Sequence, residues 1–134
     1  METGTENSFR DLRIWQKGFE LVSKIYKATK NYPPEERFAL VSDTRRSANS
    51  VIANIAEAHG RYFYLDKVRV LYIARGEAEE VRSHLSVAFS QNYITKQTLN
   101  DLDKEYAGLS IGLNNYINYL ISQNKTKTQY ATVQ

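Results

Sequence analysis

Seven residues, Leu99, Leu102, Tyr106, Leu109, Leu113, Tyr116 and Leu120, step by three and four without interruption. An α-helix turns once every 3.6 residues, so this spacing lays one continuous apolar stripe along one helix. The alternation recurs in three earlier stretches. Leu12, Trp15, Phe19, Val22 and Tyr26 carry it near the start, and Leu71, Ala74, Ala78, Val81, Leu85 and Ala88 in the second half. The middle stretch, Glu36–Arg61, adds Phe38, Val41, Ala48, Ile52, Ile55 and Ala56. A chain of 134 residues with only two prolines can keep all four as long helices. Joined by short links, four such helices predict an all-α, antiparallel, up-down-up-down four-helix bundle.

The expected boundaries follow from the breakers. The first helix is expected from Phe9 to about Lys30, where Asn-Tyr-Pro-Pro ends it. Pro34 suits the first turn of the second helix, where a missing N–H is no loss, and Glu35 and Glu36 suit its dipole. Gly60 marks its end. The third helix is expected from about Phe63 to Ser90, with Arg75–Glu79 and Glu79–Arg82 as ion pairs on its surface. Gln91–Lys96 connects it to the fourth, which Thr95 or Thr98 can cap. Gly108 and Gly112 lie inside that helix, either as tolerated weak points or as the site of a close neighbour. The reading therefore divides the chain into a flexible N-terminus, 1–8, a bundle, 9–122, and a polar tail, 123–134. With no cysteine, no signal-peptide pattern and no run of eighteen apolar residues, it implies a cytoplasmic protein without membrane or disulfide.

The Glu36–Arg61 helix has an unusual second face: Asp43, Arg46, Ser47, Ser50, Ala53, Asn54 and Glu57. A free helix surface carries long charged side chains, whereas these are mostly small. The pattern predicts packing on both sides. Asn54 and Glu57 should be at least half buried with Arg46 as counter-ion, and Asp43, Arg46, Ser50, Asn54 and Glu57 should form a structural stripe or subunit interface.

Residue by residue, the motifs resemble a known family. The segments are Phe9-Arg10-Asp11-Leu12-Arg13-Ile14-Trp15-Gln16-Lys17, Tyr32-Pro33-Pro34-Glu35-Glu36-Arg37-Phe38, Arg45-Arg46-Ser47-Ala48, Ala53-Asn54-Ile55-Ala56-Glu57 and Gly60-Arg61. They are similar to the four-helix-bundle proteins encoded by intervening sequences in bacterial 23S ribosomal RNA genes. Asp43, Ile52 and Ala58 depart from that family's usual Gln, Pro and Gly. A relation to the accessory protein of diversity-generating retroelements, a five-membered barrel beside a reverse transcriptase, implies a homopentamer, a nucleic-acid partner and a possible protein partner such as a reverse transcriptase. It does not imply catalysis.

Other chemistry finds little footing. His59 and His84 do not occur in the Glu-x-x-His pairs that di-iron bundles use, so no metal, no cofactor and no catalytic residue are assigned. No nucleophile elbow or phosphate loop is present. The polar feature of interest is basic. Arg10, Arg13, Lys17, Lys24, Lys27 and Lys30 outnumber Asp11 and Glu20 in and after the first helix. Arg45 and Arg46 diverge by about 100° on the second. The sequence thus nominates Arg13, Lys17, Lys24, Lys27, Arg45, Arg46 and Arg61 as phosphate contacts. The alternative for the two arginines is pairing with acids such as Asp43 and Glu57, within or between subunits, and the alternative function is an assembly or scaffold protein that binds another protein.

Overall fold

The computed structural model describes residues 8–133, with side chains described over 8–124. The described residues form four α-helices, α1 (Arg13–Thr29), α2 (Leu40–Gly60), α3 (Tyr64–Ser90) and α4 (Lys96–Val133), and no strand. Each packs against its chain neighbours, and α1 closes the ring against α4. The antiparallel bundle expected from the spacing is the fold observed.

Local chemistry sets the boundaries. The first helix does not start at Phe9. Ser8 caps a short 3-10 turn, Phe9–Asp11, and Leu12 is extended before α1 begins. A second 3-10 turn, Pro34–Glu36, uses Pro34 at its first position as expected, but α2 itself begins only at Leu40. Glu36 still serves the dipole: a carboxylate oxygen accepts from the Leu40 N–H at 3.3 Å. Gly60 closes α2, whose last carbonyls, Ala58 and His59, accept from the Lys67 ammonium at 3.3 and 2.9 Å. Thr95 caps α4 through the Thr98 N–H at 3.1 Å. The turn before it places Asn92 at φ 65°, a left-handed position that Asn tolerates. The α4 backbone continues to Val133, through most of the segment set apart as a tail. The expected flexible N-terminus lies, but for Ser8, outside the described residues.

Core registers agree on one half of the bundle and shift on the other. On α3 all six expected residues are buried. On α4 Leu102, Tyr106, Leu109, Leu113 and Leu120 are buried, and Ile117 takes the place expected of Tyr116, which is half-buried. On α1 the core face is Ile14, Gly18, Leu21 and Ile25, not the stripe through Trp15 and Phe19. Gly18 explains the choice. A Cβ there would stand 2.6 Å from Ile52 Cγ2, so α1 approaches α2 on its glycine side and turns Phe19 and Tyr26 outward, with Trp15 half-buried against the edge of the core. On α2 the core face is Val41, Thr44, Ser47, Ala48, Val51, Ile55 and Ala58. Phe38 precedes the helix and is 88% exposed.

Candidate nucleic-acid interface

The seven nominated cations fall into three groups. Lys17, Lys24 and Lys27 lie on the side of α1 that faces α4. There Lys17 donates to Glu105 Oε1 at 2.7 Å, and Lys24 donates to both Glu105 oxygens at 3.0 and 2.9 Å. One carboxylate from α4 thus gathers two lysines from α1, while Glu20 flanks them at 3.2 and 3.9 Å. The charge exchange is visible in the acidities. The hydrogen bond to Glu105 raises the Lys17 ammonium above its ordinary range, and the same bond holds the Glu105 carboxyl below its own.

The second group is structural. Arg45 is half-buried. Its Nε donates to Thr29 Oγ1 at 2.9 Å, its terminal nitrogen to the Tyr26 carbonyl at 3.4 Å, and its guanidinium lies 4.4 Å from the Tyr26 ring centre. It closes the C-terminal end of α1. Arg61 pairs with Glu57 one turn back on α2. The third group is unpaired. Among the described residues Arg13 and Arg46 have no acidic partner, and neither has Lys27 of the first group.

These facts correct the α2 stripe. Glu57 is exposed and pairs with Arg61, not Arg46, while Asp43 and Arg46 are exposed without a side-chain partner among the described residues. Asn54 is half-buried and donates back to the Ser50 carbonyl and hydroxyl at 2.8 and 3.0 Å. Only Ser47 is buried in the seam with α3, where it donates to Glu80 at 3.2 Å. Of the expected surface pairs on α3, Glu79–Arg82 forms at 3.2 Å. Arg75 instead donates to Asn114 of α4 at 2.6 Å.

Two features escaped the sequence. The first is a groove along the α1–α4 seam. Its wider part, about 1250 Å³, is lined by Lys17, Lys24, Lys27 and Lys104 against Asp101 and Glu105, a formal excess of two positive charges. Farther along the same two helices a cavity of about 610 Å³ is lined by Arg13, Tyr116 and Tyr119 among others. Between the two, α1 touches α4 where a Cβ on Gly112 would meet Ile14 Cγ2 at 3.3 Å. Lys104 and Glu105 sit off the apolar stripe of α4. Nothing in the sequence pairs Glu105 with lysines about eighty residues away. The second feature is the outward stripe of α1. Phe19 is 54% and Tyr26 41% exposed, and Trp15 stacks on Phe19 at 4.8 Å.

Among the described residues no three His, Asp or Glu side chains stand close enough to hold a metal ion, and no helix is long and apolar enough to cross a membrane. A family model for the 23S rRNA-intervening sequence protein matches residues 10–115. A solved structure of a protein of unknown function from the S23 ribosomal protein family of Bacteroides thetaiotaomicron is similar, with TM-score 0.72 and 25% identity. That match covers 78% of this chain and 95% of the other. No curated protein matches the chain. With the family match spanning most of its length, this chain belongs to the 23S rRNA-intervening sequence protein family.

Proposed function

We propose that this protein is a non-enzymatic, self-associating bundle that binds RNA or DNA through its phosphates with little sequence preference. The observation that carries the reading is the convergence of four lysines on one groove against two carboxylates. Arg13 and Arg46, exposed and without an acidic partner among the described residues, extend the positive surface. Phosphate contacts position a nucleic acid but do not read it, and no element among the described residues is shaped to reach base edges in a groove. Self-association is supported by the outward stripe of α1, which places large apolar rings at the surface in heptad spacing. A ring of five copies, as in the retroelement accessory protein, repeats each basic patch around an axis.

Fluorescence anisotropy with a labelled RNA and a labelled DNA duplex tests the first half. Binding at 50 mM salt should weaken with a log–log slope of roughly −0.7 to −0.9 per phosphate contact. Light scattering tests the second half, with a mass several times the 15.5 kDa of one chain. The same apolar stripe also supports a second reading, a scaffold whose partner is another protein such as a reverse transcriptase. Absence of binding to either nucleic acid at 50 mM salt would favour that scaffold and overturn the first reading.

A further inference from the structure

We propose that the α1–α4 groove is a site for single-stranded nucleic acid, in which lysines hold the backbone, Tyr119 stacks on a base, and Glu105 occupies the phosphate position until a strand arrives. The inference rests on the nucleic-acid reading above and names its substrate class and its place.

Three observations carry it. Charge and aromatic surface lie in one line along the same two helices. The wider part of the groove holds Lys17, Lys24, Lys27 and Lys104; past the Ile14–Gly112 contact, about 21 Å farther along α4, a second pocket holds Tyr116 and Tyr119 with Asp11 and Arg13. A basic track beside an aromatic platform is the arrangement that takes single strands without regard to sequence, because every base has a stackable face. The platform is preformed: the Tyr116 and Tyr119 rings lie 6.1 Å apart and 24° from parallel. Tyr116 is half-buried beneath, and Tyr119 is 55% exposed above it. A duplex keeps its base faces stacked inside and can offer this groove only its phosphates.

The third observation is the carboxylate. Glu105 accepts from Lys17 and Lys24 together, as a phosphate oxygen pair would. It draws together the ammonium groups of two lysines whose backbone positions are two helical turns, or about 10.5 Å, apart on α1. A lysine has three donors, so a strand can engage the remaining ones and then displace Glu105. Gly108 keeps this wall low. It lines the groove, and a Cβ there would meet nothing within 4 Å.

The experiment compares labelled oligo-uridine, oligo-thymidine and a duplex of equal length by anisotropy at 50 mM salt. The oligomers should bind at least tenfold more tightly than the duplex. Tyr119→Ala should weaken single-strand binding about fivefold or more and leave duplex binding unchanged. Glu105→Gln removes the resident anion and should tighten single-strand binding severalfold. Replacing Lys27 and Lys104 together by Gln should weaken it and reduce the salt slope by roughly 0.7 per lost contact. Thermal melts of each variant confirm that the bundle is intact, which the exposure of Tyr119 favours. Duplex binding equal to or tighter than single-strand binding overturns the proposal. If Tyr119→Ala and Glu105→Gln change nothing while Arg46→Ala abolishes binding, the groove assignment fails and nucleic-acid binding stands. If the unaltered protein binds neither form, both readings fail.

Discussion

The α2–α3 and α1–α4 seams are built from the same helix type but serve different ends. Along α2–α3, Ala48, Val51, Ile55 and Ala58 meet Val70, Leu71, Ala74 and Ala78, all no more than 4% exposed. Small side chains let the two helices come close, and the seam is packed along its length. Along α1–α4, Leu21, Ile25, Leu109 and Leu113 close the depth of the seam. Its rim instead carries long side chains, Lys17 and Lys24 reaching to Glu105, with open volume beside them. One seam supplies cohesion. The other leaves cations in reach of solvent, which is where binding can occur.

Altering residues in turn sharpens that contrast. The largest loss should follow Ile55→Ala in the closed seam. Ile55 is fully buried, and such truncations cost about 2–5 kcal/mol, readable as a lower urea midpoint at unchanged m-value. Gly18→Ala should come next. The added methyl would press on Ile52, and overpacking of this kind costs about 1–3 kcal/mol, measured the same way. Gly108→Ala, in the open seam, should have the opposite sign. With nothing near the new methyl, the gain in helix propensity stabilises by up to about 1 kcal/mol.

The smallest effect is electrostatic. Glu105 is held below the ordinary carboxylate range by its hydrogen bond to Lys17, and Asp103 by its bonds to Arg82 at 2.8 and 3.1 Å. A carboxyl depressed in the folded state contributes stability above its unfolded pKa, and that contribution is lost as pH falls through the folded value. Stability should therefore fall below about pH 4. Both groups are part-exposed, so each contributes under about 1 kcal/mol and less in high salt. Melts of Glu105→Gln should show a shallower acid dependence than the unaltered chain.

The α3 side of the closed seam was legible in the sequence because its apolar residues repeat on one face only, whereas α2 packs through Val51 and Ala58 and leaves the expected Phe38 exposed and Ile52 and Ala56 half-buried. All six residues expected on α3 are buried. The first helix misled because it has two stripes at the same spacing. Size favours Trp15, Phe19 and Tyr26, but the space beside Ile52 admits only glycine, so the face through Gly18 is the one that packs. A glycine reads as a weak point until a neighbour is seen against it. The glycine pair on α4 resolves the same way: Gly112 accommodates Ile14, and Gly108 borders open space. On α2, Thr44 and Ser47 escaped the apolar reading because they are polar yet fully buried, each donating its hydroxyl, Thr44 to the Leu40 carbonyl and Ser47 to Glu80. The lysines of the groove were legible as cations. Their gathering by Glu105 was not, since residue types and local spacing carry no record of which distant side chain folds against them.

Lysine acetylation footprinting tests the contrast between the seams most directly. The chain is treated with a limiting acylating reagent, with and without saturating oligo-uridine, and modification is read at each lysine by mass spectrometry. The account predicts that Lys17, Lys24, Lys27 and Lys104 lose reactivity when the oligomer binds, while Lys67, set against the end of α2, stays unchanged. Unchanged reactivity at all four groove lysines under conditions where the oligomer is bound would contradict it.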